Sequence, residues 1–323
     1  MEPALPSTRI PRPSARRSLL GIGVALWLVL GGPVAAADPG TWWLPDPSSV
    51  AGTAAPAAPT PATLLIAGDV ATCDSTADEA TARLVAGIPG TVMTAGDNVY
   101  PAGTATAYRD CYAPSWGELK DRTWPVAGNH EWMVPGAAGY HAYFGPRTGP
   151  GGRTWYAMDV GTWRVYALDS DCWAVGGCAE GSPQLRWLET DLAAHPRACV
   201  LAVWHHPRFS SGPHGNDREV APLVAALVRA GAELVINGHD HQYERFDPAR
   251  ADGTPARFGV RQIVVGTGGG PLYAFAQPFA PNSVVRLRRH GVLRLDLGEG
   301  TYAWSFLAAK TGAALDTGTG RCH

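Results

Sequence analysis

Seven side chains of this 323-residue chain, each near the end of a short apolar run, are of types that hold hard or borderline metal ions. They are the carboxylates of Asp69 and Asp97, the phenol of Tyr100, the amide of Asn129 and the imidazoles of His205, His239 and His241. Singly, each has an ordinary explanation: an Asp after an apolar run caps a helix or forms a turn, an Asn sits in a turn, a lone His is satisfied in the core or at the surface. Together they are oxygen and nitrogen donors without thiolate, a set that suits iron, zinc or manganese. His239 and His241 stand two apart in "GHDH", directly after the apolar "ELVI". In an extended segment side chains two apart point the same way, so this pair can approach two neighbouring ions while Asp240 points oppositely. Buried imidazoles left without a partner would cost folding free energy.

The elements that must position these residues share one pattern. "TLLIAGD" at 63–69, "TVMTAGDNVY" at 91–100, "TWPVAGNHEW" at 123–132, "CVLAVWHHP" at 199–207, "AELVINGHDH" at 232–241 and "RQIVVGTGGG" at 261–270 are short apolar runs that end in glycine or polar residues. Such runs suit strands covered on both faces. Between them, 75–87, 182–194 and 217–230 read as helices, the second with Ser182 as N-cap and Pro183 at its first position. After residue 255 the texture turns to strands without long helices, as in "VLRLDL" and "TYAWSFLA". Alternation followed by strands predicts α/β layers, with functional groups just beyond the carboxyl ends of strands.

Charge and cysteines narrow the setting. Arg9, Arg12, Arg16 and Arg17 precede the uncharged "LLGIGVALWLVL" and then "VAAADPG". This is the pattern of a secretory signal peptide cut after Ala37, its apolar core too short for a stable membrane anchor, and Arg16-Arg17 fits a twin-arginine signal. Of the 26 Lys and Arg and 28 Asp and Glu, residues 1–37 hold four Arg and Glu2, so 22 basic and 27 acidic groups follow. A mildly acidic chain has no general pull towards nucleic acid or anionic lipid. The six cysteines make an even set in an exported chain, which favours disulfides, and no C-x-x-C pair suggests a zinc knuckle. Spacing does not fix their connectivity; Cys172 with Cys178 suits a short loop, and Cys73 with Cys111 and Cys199 with Cys322 complete one of the possible pairings. Residues 38–62, rich in Pro and Ala, read as a flexible linker, and 63–323 as one domain.

The order and spelling of the polar blocks then carry a resemblance. "GD" at 68–69, "GDNVY" at 96–100, "GNHE" at 128–131, "HHP" at 205–207 and "GHDHQYER" at 238–245 resemble the five blocks of the calcineurin-like metallophosphoesterases. The Tyr three residues after the second Asp, "GNHE" and the "YER" tail look like the purple acid phosphatase branch. The resemblance spans 63–323 and implies a four-layer α-β-β-α sandwich of two mixed sheets flanked by helices. It implies a pair of metal ions, iron with iron, zinc or manganese, one held by Asp69, Asp97, Tyr100 and His241 and the other by Asn129, His205 and His239, with Asp97 bridging. The family's His-x-Pro spelling selects His205 and leaves His206 as its neighbour. His130 and His214 fall where the family places substrate-contacting histidines.

The first block reads "GDVA" where the family commonly has Asp-x-Gly or Asp-x-His, and the region before 63 is too short for the β-sandwich that plant-type members carry. The implied activity is hydrolysis of a small phosphate ester, most simply a monoester, by in-line attack of an activated bridging water. A phosphodiesterase or nucleotidase on the same centre is the alternative, since substrate choice lies in loops such as 101–116, 133–153 and 171–181. An exported glycan-binding module with a structural metal site is the non-catalytic alternative. A metallo-β-lactamase-like site is disfavoured because Gln242 follows His241. Glu131 either orients His130 or lies at the surface, and "GTGGG" at 266–270 reads as a turn beneath the site. Among the 12 Trp, Trp116, Trp132, Trp155, Trp173 and Trp204 either line a substrate cleft or fill the core. Nothing in the sequence sets an oligomeric state.

Overall fold

The first apolar run forms a strand, Ala62–Ala67 (β1), whose alternate side chains part to opposite faces. Leu64 and Ile66 join one core cluster, Leu65 and Ala67 another. That division repeats through the molecule and produces its layers. The computed structural model describes residues 60–196 and 199–323. The expected signal peptide, 1–37, and the linker up to residue 59 lie outside the described residues.

Further strands are Thr91–Thr94 (β2), Thr123–Trp124 (β3), Tyr156–Val160 (β4), Trp163–Ala167 (β5), Val200–Val203 (β6), Leu234–Asn237 (β7), Tyr243–Phe246 (β8), Arg261–Val265 (β9), Ser283–Leu287 (β10), Gly291–Gly298 (β11), Thr301–Ala308 (β12) and Ala314–Arg321 (β13). One sheet runs β13-β12-β11-β1-β2-β3, the other β10-β8-β9-β7-β6-β5-β4. Both are mixed. β1, β2 and β3 are parallel while β11, β12 and β13 join antiparallel, and β5, β6, β7 and β9 are parallel with antiparallel β4, β8 and β10.

The sheets pack face to face. Leu64, Ile66 and Phe306 of one and Val165, Leu201, Ile236 and Ile263 of the other share a core that excludes water. Helices are Ala77–Ala86 (α1), Ala105–Ala107 (α2), Asn129–Trp132 (α3), Ala138–Phe144 (α4), Pro183–Ala194 (α5) and Ala221–Arg229 (α6). Val85 of α1 and Tyr140 and Phe144 of α4 cover the outer face of the first sheet with Leu65 and Val92. Leu185 and Leu188 of α5 and Leu223 and Leu227 of α6 cover the second with Ala202 and Val235. The result is the expected four-layer α-β-β-α sandwich. Ser182 caps α5, its hydroxyl accepting from Leu185 N, with Pro183 at the first turn.

Disulfides join Cys73 to Cys111, Cys172 to Cys178 and Cys199 to Cys322. The last ties the chain terminus to the start of β6. Trp116 and Trp204 are fully buried core residues, not cleft-lining ones. Among the described residues, no helix is long and apolar enough to cross a membrane.

Candidate metal centre

Asp69, Asp97, His205 and His239 each lie two or three residues beyond the end of β1, β2, β6 and β7, and Asn129 opens α3. Glycine precedes Asp69, Asp97, Asn129 and His239, and space is a reason at all four positions, most tightly at two. A Cβ on Gly128 would stand 2.3 Å from Asp97 Oδ1, and one on Gly96 2.4 Å from His205 Nδ1. Asp69, Asp97 and His239 hold φ of 58°, 47° and 72°, left-handed values that persist where the surroundings over-determine them. The "GHDH" segment is therefore not extended. β7 stops at Asn237, and Asp240 N and Gln242 N donate to Gly238 O and Asp240 O in successive tight turns. The left-handed His239, rather than strand alternation, sets where the two imidazoles point.

Each carboxylate is divided between scaffold and site. Asp69 Oδ2 accepts from His239 N at 2.8 Å, and Asp97 Oδ1 from His130 N at 2.9 Å. The remaining oxygens face the donors. Tyr100 OH lies 2.8 Å from Asp69 Oδ1, 3.2 Å from Asp97 Oδ2 and 2.9 Å from His241 Nε2. His205 Nε2 lies 3.2 Å from Asp97 Oδ2 and 3.2 Å from His239 Nδ1. Asp97 Oδ2 thus stands at the junction of two groups of donors.

The chemistry of these atoms calls for positive charge. His205 Nδ1 donates to Ala95 O at 2.8 Å and His241 Nδ1 to Pro271 O at 2.7 Å, so each ring turns Nε2 towards a carboxylate, which demands a proton or a metal ion between them. One phenol proton cannot satisfy the three acceptors around Tyr100. Asn129 Oδ1 is buried without any hydrogen-bond partner. A cation in each group of donors would resolve all of these contacts. Titration behaviour agrees with that demand. Burial pulls His205 down but Asp97 outweighs it, raising the imidazole to about 10. Burial would push Asp97 up, yet His205 holds it well below the carboxylate range. Burial, then the neighbouring His205, keeps His239 neutral far below its ordinary value. Burial and then Asp69 hold Tyr100 well above the ordinary phenol value.

His130 and His214 lie beside this cluster. His130 packs edge-on to Tyr100 at 4.5 Å, its Nδ1 donating to Pro101 O and its Nε2 3.7 Å from Asp97 Oδ2. The His214 ring lies 4.3 Å from the His239 ring, and its Nδ1 is 3.0 Å from Asp240 Oδ1. Asp240, fully buried, also accepts from His214 N and Ser210 Oγ, so its work is to fix His214. Glu131 takes neither of the roles its place in the sequence suggested. It is fully buried and accepts from Gly128 N, Asn98 N and Tyr108 OH. The glycine turn does lie under the site: Gly269 N and Gly270 N donate to Asp69 O, and a Cβ on Gly270 would meet the His241 ring at 2.9 Å.

Sequence reasoning passed over several participants. His206, read only as a neighbour, lies 4.2 Å from the His239 ring, and its Nδ1 is 2.8 Å from Ser170 Oγ. With His205 and His239 it offers nitrogens within 4.8 Å of one another. Tyr273 stacks on His241 at 4.1 Å. The doubled "HH" was the one available signal for His206; nothing local marked Ser170 or Tyr273.

Asp171, on the loop after β5, is buried with Oδ2 lacking a hydrogen-bond partner. Burial, then the charge of Asp169, pushes its carboxyl from 3.8 up to about 8. A folded-state value above the unfolded one means that its stability contribution is full below about pH 4 and is lost as pH rises through 8. Asp171→Asn is therefore expected to raise the Tm of the metal-free protein at pH 9 by about 5 °C and to leave it near the wild-type value at pH 4. Thermal unfolding at the two pH values checks this, and a variant less stable than wild type at pH 9 overturns it.

Comparison with known proteins identifies the scaffold. The family model described as calcineurin-like phosphoesterase matches residues 53–243. The chain belongs to that family. An uncharacterised protein of Mycobacterium tuberculosis is 33% identical over 160 residues, which cover 42% of this chain and 30% of that one. Purple acid phosphatase 22 of Arabidopsis thaliana is 27% identical over 235 residues, covering 62% of this chain and 51% of its own. The chain thus spans from under a third to about half of the length of these relatives. Among solved structures, purple acid phosphatase PPD1 from yellow lupin seeds has a TM-score of 0.64 at 18% identity, covering 81% of this chain and 55% of that one. GAP50, the anchor in the inner membrane complex of Plasmodium, has a TM-score of 0.63 at 15% identity, covering 82% and 90%. These two share the fold of this chain, and purple acid phosphatases are among the proteins it is similar to in sequence.

Proposed function

We propose that this chain is an exported phosphomonoesterase with a binuclear metal centre. Asp69, Asp97, Tyr100 and His241 would hold one ion and Asn129, His205 and His239 the other, with Asp97 available to both. The observation that supports this reading is the convergence of three side chains of ligand type, Tyr100, His205 and His130, within 3.7 Å of Asp97 Oδ2. Oxygen donors and a phenol on one side and imidazoles with an amide on the other suit iron paired with iron, zinc or manganese. When bound, such ions supply the charge that acidifies a water and offsets the negative charge of phosphate.

The chain's own residues do the rest. Asp97 and Asp69, each with one oxygen tied to backbone, present the other in a fixed place, so no reorganisation is needed as charge develops. Asp240 holds His214 through Nδ1 and leaves Nε2 for a phosphoryl oxygen or the departing alkoxide, where it can deliver a proton. His130, held by Pro101 O, turns its Nε2 towards the same space from the Tyr100 side. The disulfides fit an oxidising compartment, in keeping with a signal peptide over 1–37, a linker over 38–62 and a catalytic domain over 63–323.

Steady-state hydrolysis of p-nitrophenyl phosphate beside bis-p-nitrophenyl phosphate, from acid to alkaline pH and with metal content measured, tests the proposal. Monoester turnover by a protein holding two metals per chain is expected. Preference for the diester replaces the proposal with a phosphodiesterase, and no turnover on either ester by a fully loaded protein overturns it. His214→Ala is expected to lower kcat about a hundredfold with metal content unchanged. Loss of a metal in that variant would show that His214 is a ligand rather than a proton donor.

A further inference from the structure

Trp173 is 74% exposed, the most exposed of the large apolar side chains among the described residues, and Met133 is 59% exposed. An indole left in water on a loose tail would mean little, but this one stands on a pinned loop. Cys172 and Cys178 on either side of it are bonded, Ala174 N donates to Asp171 O and Gly177 N to Cys172 O. The loop is clasped at its base by Gln184, which accepts from Asp169 N and donates to Asp169 O, each at 2.7 Å. The ring is thus held out deliberately, at an entropic cost already met by the loop.

Its neighbour is Trp132, with ring centroids 6.2 Å apart and planes at 66°. Trp132 ends α3, three residues after Asn129, and residues three apart share one side of a helix, about 4.5 Å apart along its axis. The indole N–H of Trp132 donates to Asp169 Oδ2 at 3.0 Å. The next residue, Ser170, holds His206, whose ring lies against His239. The two indoles are therefore anchored, through α3 and through Asp169 and Ser170, to the side of the cluster that carries Asn129, His206 and His239.

We propose that Trp132 and Trp173 form a platform for a flat aromatic leaving group, so that this site favours phosphomonoesters whose alcohol carries an aromatic ring, an aryl alcohol or a nucleoside. This rests on the phosphoesterase reading and extends it to substrate class. Apolar, electron-rich indole faces stack flat π systems and offer nothing comparable to a short alkyl alcohol. An edge-to-face pair leaves ring face available for a third ring.

The test compares the full metal-loaded chain with Trp173→Ala and Trp173→Phe, measuring kcat/KM for phenyl phosphate, AMP and glycerol 3-phosphate. Trp173→Ala is expected to lower the ratio of ring-bearing to alkyl ester by about five- to tenfold, through KM, with Trp173→Phe restoring most of it. Because the side chain is exposed, loss of folding is not the expected cause of any change. Equal effects on the three esters, or none on any, overturn the platform and leave the phosphoesterase reading standing. A binding arm separates the two ideas in the other direction. Phenylphosphonate should quench tryptophan emission and bind several-fold tighter than methylphosphonate, a difference lost in Trp173→Ala. If no ester is turned over while this Trp173-dependent preference remains, the phosphoesterase reading fails and the platform stands; if the two phosphonates bind alike, the platform fails.

Discussion

Asp97→Ala is expected to abolish phosphomonoester turnover, by at least about a thousandfold, and to cost the protein at least one metal per chain. A thousandfold corresponds to roughly 4 kcal/mol of transition-state stabilisation. The size follows from where Oδ2 stands, 3.2 Å from both Tyr100 OH and His205 Nε2. It is the carboxylate oxygen that meets a donor of each group. The loss is also structural, because Oδ1 holds His130 N at the start of α3, the turn that delivers Asn129. Asp97→Asn separates the two effects. The amide keeps the shape and an oxygen for one side, so it should retain more of the fold while still losing charge from the centre. Metal analysis beside kcat reads both, and a variant within tenfold of wild type with two metals bound would remove Asp97 from its bridging role.

Why so much of the site was legible lies in the architecture. Parallel strands covered on both faces leave long apolar words, and the donors must stand where those words stop, so Asp69, Asp97, His205 and His239 are each marked by their position after a strand. The glycine before Asp97 and Asn129 is legible for the same reason, since loops that converge on one point leave no room for a Cβ. What was hidden depends on contacts between distant segments. Glu131 looks like one more polar residue after a ligand, and only the fold brings Asn98 N and Tyr108 OH to it. Asp240 was expected to point away from the metals, which it does, but its pairing with His214 arises from a loop that returns 26 residues earlier in the chain. The "GHDH" geometry misled because strand alternation was carried one turn too far, into a segment where His239 is left-handed. The 101–152 region gave no periodic signal because its helices are one or two turns long, and β13 gave none because it is an exposed edge strand, "ALDTGTGR".

Glu131→Ala should be the most destabilising single change near the site, although Glu131 is not among the proposed metal ligands. Its Oε2 accepts from Gly128 N at 2.8 Å, and its Oε1 from Asn98 N and Tyr108 OH, each at 3.0 Å. Those partners belong to three separate pieces: the cap of α3, the loop after β2 that carries Asp97, and the helical turn Tyr108–Tyr112 on the outer face of the first sheet. Alanine leaves three buried donors unsatisfied, each at about 1–3 kcal/mol, for a total of roughly 3–9 kcal/mol. Against a whole-domain stability of about 5–15 kcal/mol that is a large share, and it should appear as a fall in Tm of about 10 °C or more. Glu131→Gln keeps the volume but has one acceptor oxygen where the carboxylate has two, so its amide nitrogen must face a backbone N–H, and it should fall between alanine and wild type. The same loss loosens Asp97 and Asn129 together, so both variants should bind metal more weakly in the order of their instability. Thermal unfolding of metal-free and metal-loaded protein reads these effects separately. A Glu131→Ala protein that melts within about 2 °C of wild type, or that binds metal as tightly, would show that the loops around Asp97 are held by their strands alone and that Glu131 is not the clamp between them.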